Sequence, residues 1–521
     1  MSIDEVEGPF GVPVPNREAG NQLRANELSL FDSTAVAVSS VAPAYSLAST
    51  MTFLAMVAGV GVFAPSLIIL SFIPVIFVAV AYFHLNRRDP DCGASYSWVS
   101  KLTSPYLGWF NGWVQIALSG IFCVIAPLLA GSYTLQFFSS LNWISAATAG
   151  KLGYIAVVGA LWLALVTFIC VWGIRWTTNF QWIMVIIEYV AVVGFSIWGI
   201  IRMIVEGHSF KVAYINHHWI HPSSFHFAWL NPLNLGGYSA ISGGIVLGVF
   251  FFWGWDTALN LNEESKDATH NPGRAGVISM FLLLFIFLLN IIAAEMLLPN
   301  WLLQKEGPNI LFFFANHAVG SWAGYVMIFA VLSSTVGTTQ TTLLPAARIT
   351  YSMARDKVFP RMFGSIQGKT RTPAIGTLII AFICLLGIMI LSQSQSGYNY
   401  LQNIMITSIG VLIGFYYGVT GLTCAWAYRK VAFKSFRFFL TGILFPALSG
   451  VALLLVGVRV FLNQWSTAVY GPDGVTVIGH TNQAWSEVIT LVLGLVLVVV
   501  ARLMSKGDFF KKKSIAYETI E

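Results

Sequence analysis

Charge is what this chain has least of: one residue in ten is Asp, Glu, Lys or Arg, where a water-soluble domain carries roughly a quarter. A folded surface of 521 residues with so few charges cannot be covered against water. A soluble globular module is therefore excluded. Other absences narrow the class further. The first 28 residues are polar and acidic and contain no apolar h-region, so no cleaved signal peptide is expected, and the first span is the insertion signal. Of five cysteines, Cys123, Cys170, Cys384 and Cys424 fall in apolar stretches and Cys92 in a loop expected inside, so no disulfide is expected. No metal-ligand spacing of Cys and His, no serine elbow and no phosphate loop occurs, which argues against a membrane enzyme. There is no low-complexity block and no linker of the kind that separates domains.

What is present is apolar. Hydrophobic residues make up 56% of the chain and the mean hydropathy is +0.74, as expected where side chains face lipid. A spanning helix needs about 20 predominantly apolar residues. Twelve stretches qualify, near 30–54, 60–84, 108–137, 153–173, 179–204, 236–260, 275–298, 321–346, 374–394, 400–428, 437–462 and 485–504. Pro43, Gly59, Gly61 and Pro65 interrupt the first two.

Basic residues accumulate in cytoplasmic loops. With twelve spans and the N-terminus inside, only Lys151, Arg202, Lys211, Lys305 and Arg459 lie outside, leaving 23 of 28 within. Both termini are accordingly expected in the cytoplasm, in a multi-pass protein of the cell membrane. The basic loops account for the net charge of +6, attraction to anionic lipid is a sufficient reason for them, and no nucleic-acid partner is implied. The outer stretch 205–235 carries His208, His217, His218, His221 and His226, whose spacing fits no metal pattern. It reads as an exposed, aromatic-rich interfacial loop, and no metal or cofactor is expected.

Two spans should not stay helical through their middles. In the first, Ser39-Ser40-Val41-Ala42-Pro43-Ala44-Tyr45-Ser46 puts a proline at mid-membrane depth, where its ring clashes with the preceding turn. In the sixth, Gly243, Gly244, Gly248 and Gly254 weaken the helix around Phe250-Phe251-Phe252-Trp253-Gly254-Trp255-Asp256. Irregular backbone at that depth must be buried in protein or line a cavity. Paired interruptions in corresponding halves point to a transporter's binding site; here they open two sets of five spans. Two ordinary kinks in a bundle are the plainer alternative.

The loop after the second span, Asn86-Arg87-Arg88-Asp89-Pro90-Asp91-Cys92-Gly93-Ala94-Ser95-Tyr96-Ser97-Trp98, leads to Pro105, Gly108, Phe110, Gly112 and Trp113. After the sixth span, Gly254-Trp255-Asp256 leads to Glu263-Glu264, Lys266 and Asn271-Pro272-Gly273-Arg274. The eighth ends Ala347-Arg348-Ile349-Thr350-Tyr351-Ser352-Met353-Ala354-Arg355-Asp356, continuing to Pro360, Phe363 and Thr372-Pro373. Across roughly residues 30–430 this resembles the amino acid–polyamine–organocation permeases. The resemblance implies an all-α integral membrane protein with twelve transmembrane helices, a 5+5 inverted repeat and two peripheral helices. It divides the chain into a cytoplasmic segment 1–29, a first repeat 30–206, an extracellular loop 207–235, a second repeat 236–428, helices 11 and 12 over 429–505, and a basic tail 506–521. It further implies alternating access by a moving bundle, with substrate between broken helices 1 and 6. Two departures stand out. The family's glycine-rich break in helix 1 is here Ala44-Tyr45-Ser46, so Tyr45 reshapes the end of the pocket that would take a carboxylate, which leaves amines open. Asp267 to His270 are extra loop residues.

Candidate substrate contacts are Ala42, Ala44, Tyr45 and Ser46 at the first break and Phe252, Trp253, Trp255 and Asp256 at the second. Free N–H groups at a half-helix N-terminus suit a carboxylate, and free carbonyls at a C-terminus suit an ammonium group. Asp256 is a gate or ammonium contact, or else a cap on the broken helix. By its register after Gln181, Glu188 falls where several relatives carry a lysine that fills their second sodium position. A glutamate there can bind and release a proton, or make a structural hydrogen bond. Ser334 and Thr335 stand where this fold can hold a cation such as Na⁺, although hydroxyls within spans commonly bond their own helix. Arg348 and Arg355 read as a gate or loop anchor, Glu295 as structural and Asp32 as a helix N-cap. The expectation is a proton-coupled secondary transporter of amino acids or related amines. An exchanger, a polyamine-type carrier or a Na⁺-coupled symporter is the alternative within transport; a channel would need a continuous polar lining.

Overall fold

The computed structural model describes residues 22–519 apart from 58, 207–212, 216–217, 221–222, 307–308, 467–475, 478–479 and 506–507, together with short strands at Val6–Glu7 and Pro13–Val14. The side chains of His208, His217, His218 and His221 lie outside the described residues. Apart from short strand pairs in the termini and loops, the described elements are helical. In chain order they begin with α1 (Leu30–Val41), α2 (Pro43–Met56), α3 (Ala64–Arg88), α4 (Ser95–Leu102) and α5 (Pro105–Ser140). Next come α6 (Ala146–Ala149), α7 (Leu152–Trp172), α8 (Ile174–Glu206), α9 (Tyr238–Phe251) and α10 (Thr257–Asn260). Then follow α11 (Asn271–Leu297), α12 (Asn300–Glu306), α13 (Ile310–Ala318), α14 (Ser321–Arg355) and α15 (Ala374–Leu391). The last are α16 (Gln395–Ala427), α17 (Phe436–Phe438), α18 (Phe445–Ser466) and α19 (Asn482–Met504), with a π-helical turn at Phe439–Leu444 before α18.

Ten helices among the described residues are long and apolar enough to cross a membrane. Their most apolar windows differ sharply in how much protein covers them. Those of α5 and α14 are 78% buried, whereas that of α19 is 22% buried. α5 and α14 pack against each other in the interior, while α7, α8, α15 and α19 turn side chains such as Leu161, Ile186, Phe382 and Val499 outward, each more than half exposed. In water so much uncovered apolar surface would be costly at about 25 cal/mol per Å²; in hydrocarbon it costs nothing.

The two remaining apolar stretches, 30–54 and 236–260, are the broken ones. α1 opens with a capping box: the Ser29 hydroxyl accepts from the Asp32 N–H at 3.2 Å, and the Asp32 carboxylate accepts from the Ser29 N–H at 2.9 Å. Asp32 is thus the third residue of the helix, closing the box, rather than the N-cap, and it also accepts from the Trp182 indole at 3.0 Å. α1 stops at Ala42 because the following Pro43 disfavours the α conformation at the residue before it. Ala42 takes φ 52°, ψ 64° instead, the left-handed region that costs an alanine roughly 1–2 kcal/mol. Pro43 then starts α2 at a position where a missing N–H is harmless.

Close helix contacts rest on glycine. A Cβ at Gly131 of α5 would lie 2.3 Å from the Ile155 carbonyl of α7, and one at Gly159 would lie 2.6 Å from the Pro127 carbonyl. The C-terminal segment lies along the face that holds α4 and the end of α16. There the Ile515 N–H donates to the Lys101 carbonyl, the Tyr517 N–H donates to the Ala427 carbonyl (both 3.0 Å), and Phe509 stacks on Tyr96. Gly131→Val should force α5 and α7 apart at a cost of about 1–3 kcal/mol. A melting curve in detergent, lowered relative to wild type, checks this.

Candidate functional site

The break between α1 and α2 leaves the first N–H groups of α2 without helical partners. Pro43 has none to offer. The Ala44 N–H donates to Glu188 Oε1 at 2.6 Å, and the Tyr45 N–H donates to the Ser334 hydroxyl at 3.2 Å. The Ser334 hydroxyl in turn donates to Glu188 Oε1 at 2.8 Å, and the Ser46 N–H closes back on the Ala42 carbonyl. Glu188 comes from α8 and is wholly buried. Its carboxyl sits at the positive end of a half-helix, and its second oxygen, Oε2, has no partner among the described residues.

The second break spans 252–256, between α9 and α10. Gly254 makes it possible: it takes φ +113°, and a Cβ there would lie 2.9 Å from the Ser40 carbonyl of α1. Asp256 begins α10, yet its side chain makes no capping bond. It accepts instead from the Tyr417 hydroxyl at 2.8 Å and the Tyr416 hydroxyl at 3.2 Å, both on α16. The Trp253 indole donates to the Tyr416 hydroxyl at 2.9 Å. The two breaks meet through Ser40, whose hydroxyl lies 2.9 Å from that of Thr257 and whose carbonyl accepts from Thr338 at 2.9 Å.

Where they meet there is a cavity of about 20 Å³, room for one water molecule. Ser40, Gln115, Ser119, Asp256, Asn260 and Tyr416 supply its polar wall, and its lining contains one carboxylate and no Lys, Arg or His. Trp253 forms an apolar side; it packs on Phe122 with ring centroids 5.1 Å apart, and Phe122 meets Tyr45 at 6.4 Å.

Of the residues singled out from the sequence, Trp253 and Asp256 line this cavity. Ala42, Ala44, Tyr45, Ser46, Glu188 and Ser334 gather one layer away, around the start of α2. Phe252 packs between Phe72 and Phe287, and Trp255 against Tyr82 and Tyr417, so neither lines it. The Thr335 hydroxyl donates to the Leu332 carbonyl of its own helix. Ser40, Gln115, Ser119, Asn260 and Tyr416 were missed. Ser40 alone carried a local signal, its place three residues ahead of Pro43.

Beyond the cavity, the face carrying the loop 89–94 and the segment 261–270 is sealed by ion pairs. Arg348, 2% exposed, and Glu264, fully buried, make a two-pronged pair at 2.7 and 3.0 Å. Arg355 bridges Asp91 and Glu263 at 2.7 and 2.9 Å. Asp91, Cys92 and Glu263 bring their ligand atoms within 4.8 Å of one another; the Arg355 guanidinium supplies the positive charge there. Burial alone would raise the Asp91 carboxyl, but Arg355 and Lys101, helped by the Ser97 hydroxyl and the Gly93 N–H, hold it well below the usual range. Asp91 therefore stays charged at any physiological pH, and its contribution is lost only as pH falls below the ordinary carboxylate range.

The family model described as amino acid permease matches residues 28–503. The chain is 25% identical over 364 residues to the low-affinity putrescine importer PlaP of Escherichia coli K12, covering 67% of this chain and 71% of that protein. It is 22% identical over 373 residues to the branched-chain amino acid permease BcaP of Lactococcus lactis, covering 66% and 70%. With the human large neutral amino acids transporter small subunit 2 it shares 24% identity over 344 residues, covering 66% and 58%.

Arg348→Met should destabilise the protein by about 3–5 kcal/mol, because it leaves the Glu264 charge buried and unpaired. Adding Glu264→Gln should recover part of that loss. Denaturant midpoints of both variants, measured beside wild type, check the sign of this coupling.

Proposed function

The chain belongs to the amino acid permease family, within the amino acid–polyamine–organocation superfamily, and on that premise we propose that it is a proton-coupled secondary transporter of amino acids or related amines. In this reading α1–α2 and α9–α10 are the first and sixth of twelve crossings. They open repeats over 30–206 and 236–428, followed by two peripheral helices over 429–505, with 207–235 an extracellular loop. The segment 1–29 and the tail 506–521 are cytoplasmic, as the excess of Lys and Arg on that side of the cell membrane supports. The sealed, basic face is then the cytoplasmic one, and the described arrangement is closed toward the cell interior.

The observation that carries the reading is Glu188. A carboxyl that holds the broken end of α2 through one oxygen, with the other unpartnered among the described residues, responds to protonation directly. Charged, it binds the half-helix and Ser334; neutral, it loses most of its attraction for that positive end. Protonation thereby favours one arrangement of the broken helix over another, which is what coupling requires. The hydroxyls weighed for Na⁺ have other engagements: Ser334 donates to Glu188 and Thr335 to Leu332.

Substrate binds between the breaks, with Asp256 as the ammonium contact and Trp253 and Tyr45 as apolar walls. One feature favours amines over α-amino acids. The N–H groups of Ala44, Tyr45 and Ser46, which would receive a substrate carboxylate, are already bonded, while the cavity holds a carboxylate and no base. A diamine importer among the similar proteins agrees with this.

Uptake into proteoliposomes tests the proposal. A labelled diamine or aromatic amine should accumulate under an imposed proton gradient, and better than the amino acid bearing the same side chain. Accumulation that requires Na⁺ and ignores pH would overturn proton coupling. Asp256→Asn should reduce apparent affinity at least about tenfold if its charge meets an ammonium group, in protein that still inserts and remains monodisperse; unchanged affinity removes Asp256 from the site. Glu188→Gln should abolish gradient-driven accumulation yet leave substrate binding within about threefold, whereas a variant that still concentrates substrate would show the coupling group to be elsewhere.

A further inference from the structure

A second, larger cavity of about 510 Å³ lies outside the site described above, where the end of α3, the start of α11 and the π turn before α18 converge. Three guanidinium groups from three separate elements line it: Arg87 of α3, Arg274 in the opening turns of α11, and Arg437 of α17. No Asp or Glu is among its lining residues, and neither Arg274 nor Arg437 pairs with a carboxylate among the described residues. Like charges gathered in one concavity repel one another unless an anion joins them. α11 adds the positive end of a 27-residue helix, begun at Asn271 with a proline in its first turn. The far wall is the π-helical turn, in which Thr441 meets His84 at 3.3 Å.

Two features distinguish the ligand from a soluble anion. The cavity wall continues onto the uncovered side of α11: Ile278 lines it and is 41% exposed, and Phe281 and Phe285 beyond it are 56% and 57% exposed. On the other side, Phe433 and Phe436, beside Arg437, are uncovered at 96% and 77%. A phosphate seated among the arginines can therefore carry apolar chains that run down α11 in the hydrocarbon. We propose that this cavity is a binding site for the headgroup of an anionic phospholipid in the leaflet that meets the basic loops. Basic pockets between spans are the physical form such recognition takes. The bound phosphate joins α3 and α11 to the segment that begins α18, so its occupancy stiffens the contact between these elements.

Thermal denaturation of the purified, delipidated protein in detergent tests the site, titrated separately with phosphatidylglycerol, phosphatidylcholine and inorganic phosphate. Phosphatidylglycerol should raise the melting temperature, and added salt should weaken the effect. Phosphatidylcholine and inorganic phosphate should neither reproduce it nor compete. In Arg274→Gln/Arg437→Gln the concentration giving half the effect should rise about 30-fold, and in Arg274→Gln alone about fivefold, since each basic residue near an anionic surface is worth about fivefold in affinity. Both side chains are exposed, so their loss leaves the fold intact. Arg429→Gln, on the same face but outside the cavity, should stay within about twofold of wild type. The proposal fails if the double variant responds as wild type does, if phosphatidylcholine stabilises equally, or if inorganic phosphate matches the lipid, which would make this a soluble-anion site. The readout is binding rather than transport, so these outcomes leave the transport proposal untouched.

Discussion

A helix that stops in the middle of an apolar slab must find partners for its terminal N–H groups within the protein, because lipid offers none. The arrangement around the first break follows from that constraint. Pro43 ends α1, forces Ala42 into the left-handed region and begins α2. The N–H groups this frees are taken up by a carboxylate reaching across from α8 and a hydroxyl from α14. Three helices are thereby tied to one buried carboxyl, and the tie is polar rather than a matter of shape. In the proposed cycle one added proton loosens a contact of that kind, which it could not do to interlocked apolar side chains.

The second break has a different solution. Gly254 allows the backbone of α9–α10 to touch that of α1 at Ser40, and Asp256 is held by two tyrosines of α16 rather than by its own helix end. The two carboxyls consequently have separate surroundings: Glu188 faces backbone amides and a serine, and Asp256 faces hydroxyls and the cavity. In the proposed cycle that separation would let one carboxyl meet a cation while the other answers the proton. Beneath both, Arg348–Glu264 and Arg355 with Asp91 and Glu263 seal the face. The proposed cycle has this contact open, and ion pairs suit that, since water entering the gap solvates the separated charges and lowers the cost of parting them.

Long apolar runs made the ten unbroken helices legible, because about 20 such residues admit few other structures. α4, α12 and α13 were not legible; at 8, 7 and 9 residues they contain no such run. The breaks were anticipated, but only partly for the right reason. Gly244 and Gly248 were expected to weaken the sixth span, yet they lie within α9, where a Cβ would strike Leu67 and Ser71 of α3. Their task is close packing, and Gly254 alone bends the chain. Phe252 and Trp255 flank the bend but project into aromatic clusters, because an irregular turn sends neighbouring side chains in different directions. Tyr416 and Tyr417 could not be found from sequence, since nothing local joins position 416 to position 256, 160 residues away.

The held carboxyl is open to direct observation by infrared difference spectroscopy of the reconstituted protein between acidic and alkaline buffer. A protonated carboxyl in an apolar site gives a C=O stretch well separated from the amide bands. If Glu188 exchanges a proton within the pH range of transport, the wild-type spectrum should contain a band of this kind that belongs to Glu188. Glu188→Gln should lack it, and Asp256→Asn should keep it. A spectrum in which Glu188→Gln is indistinguishable from wild type would mean that the anion at the start of α2 never changes charge, contradicting the proton-released tie.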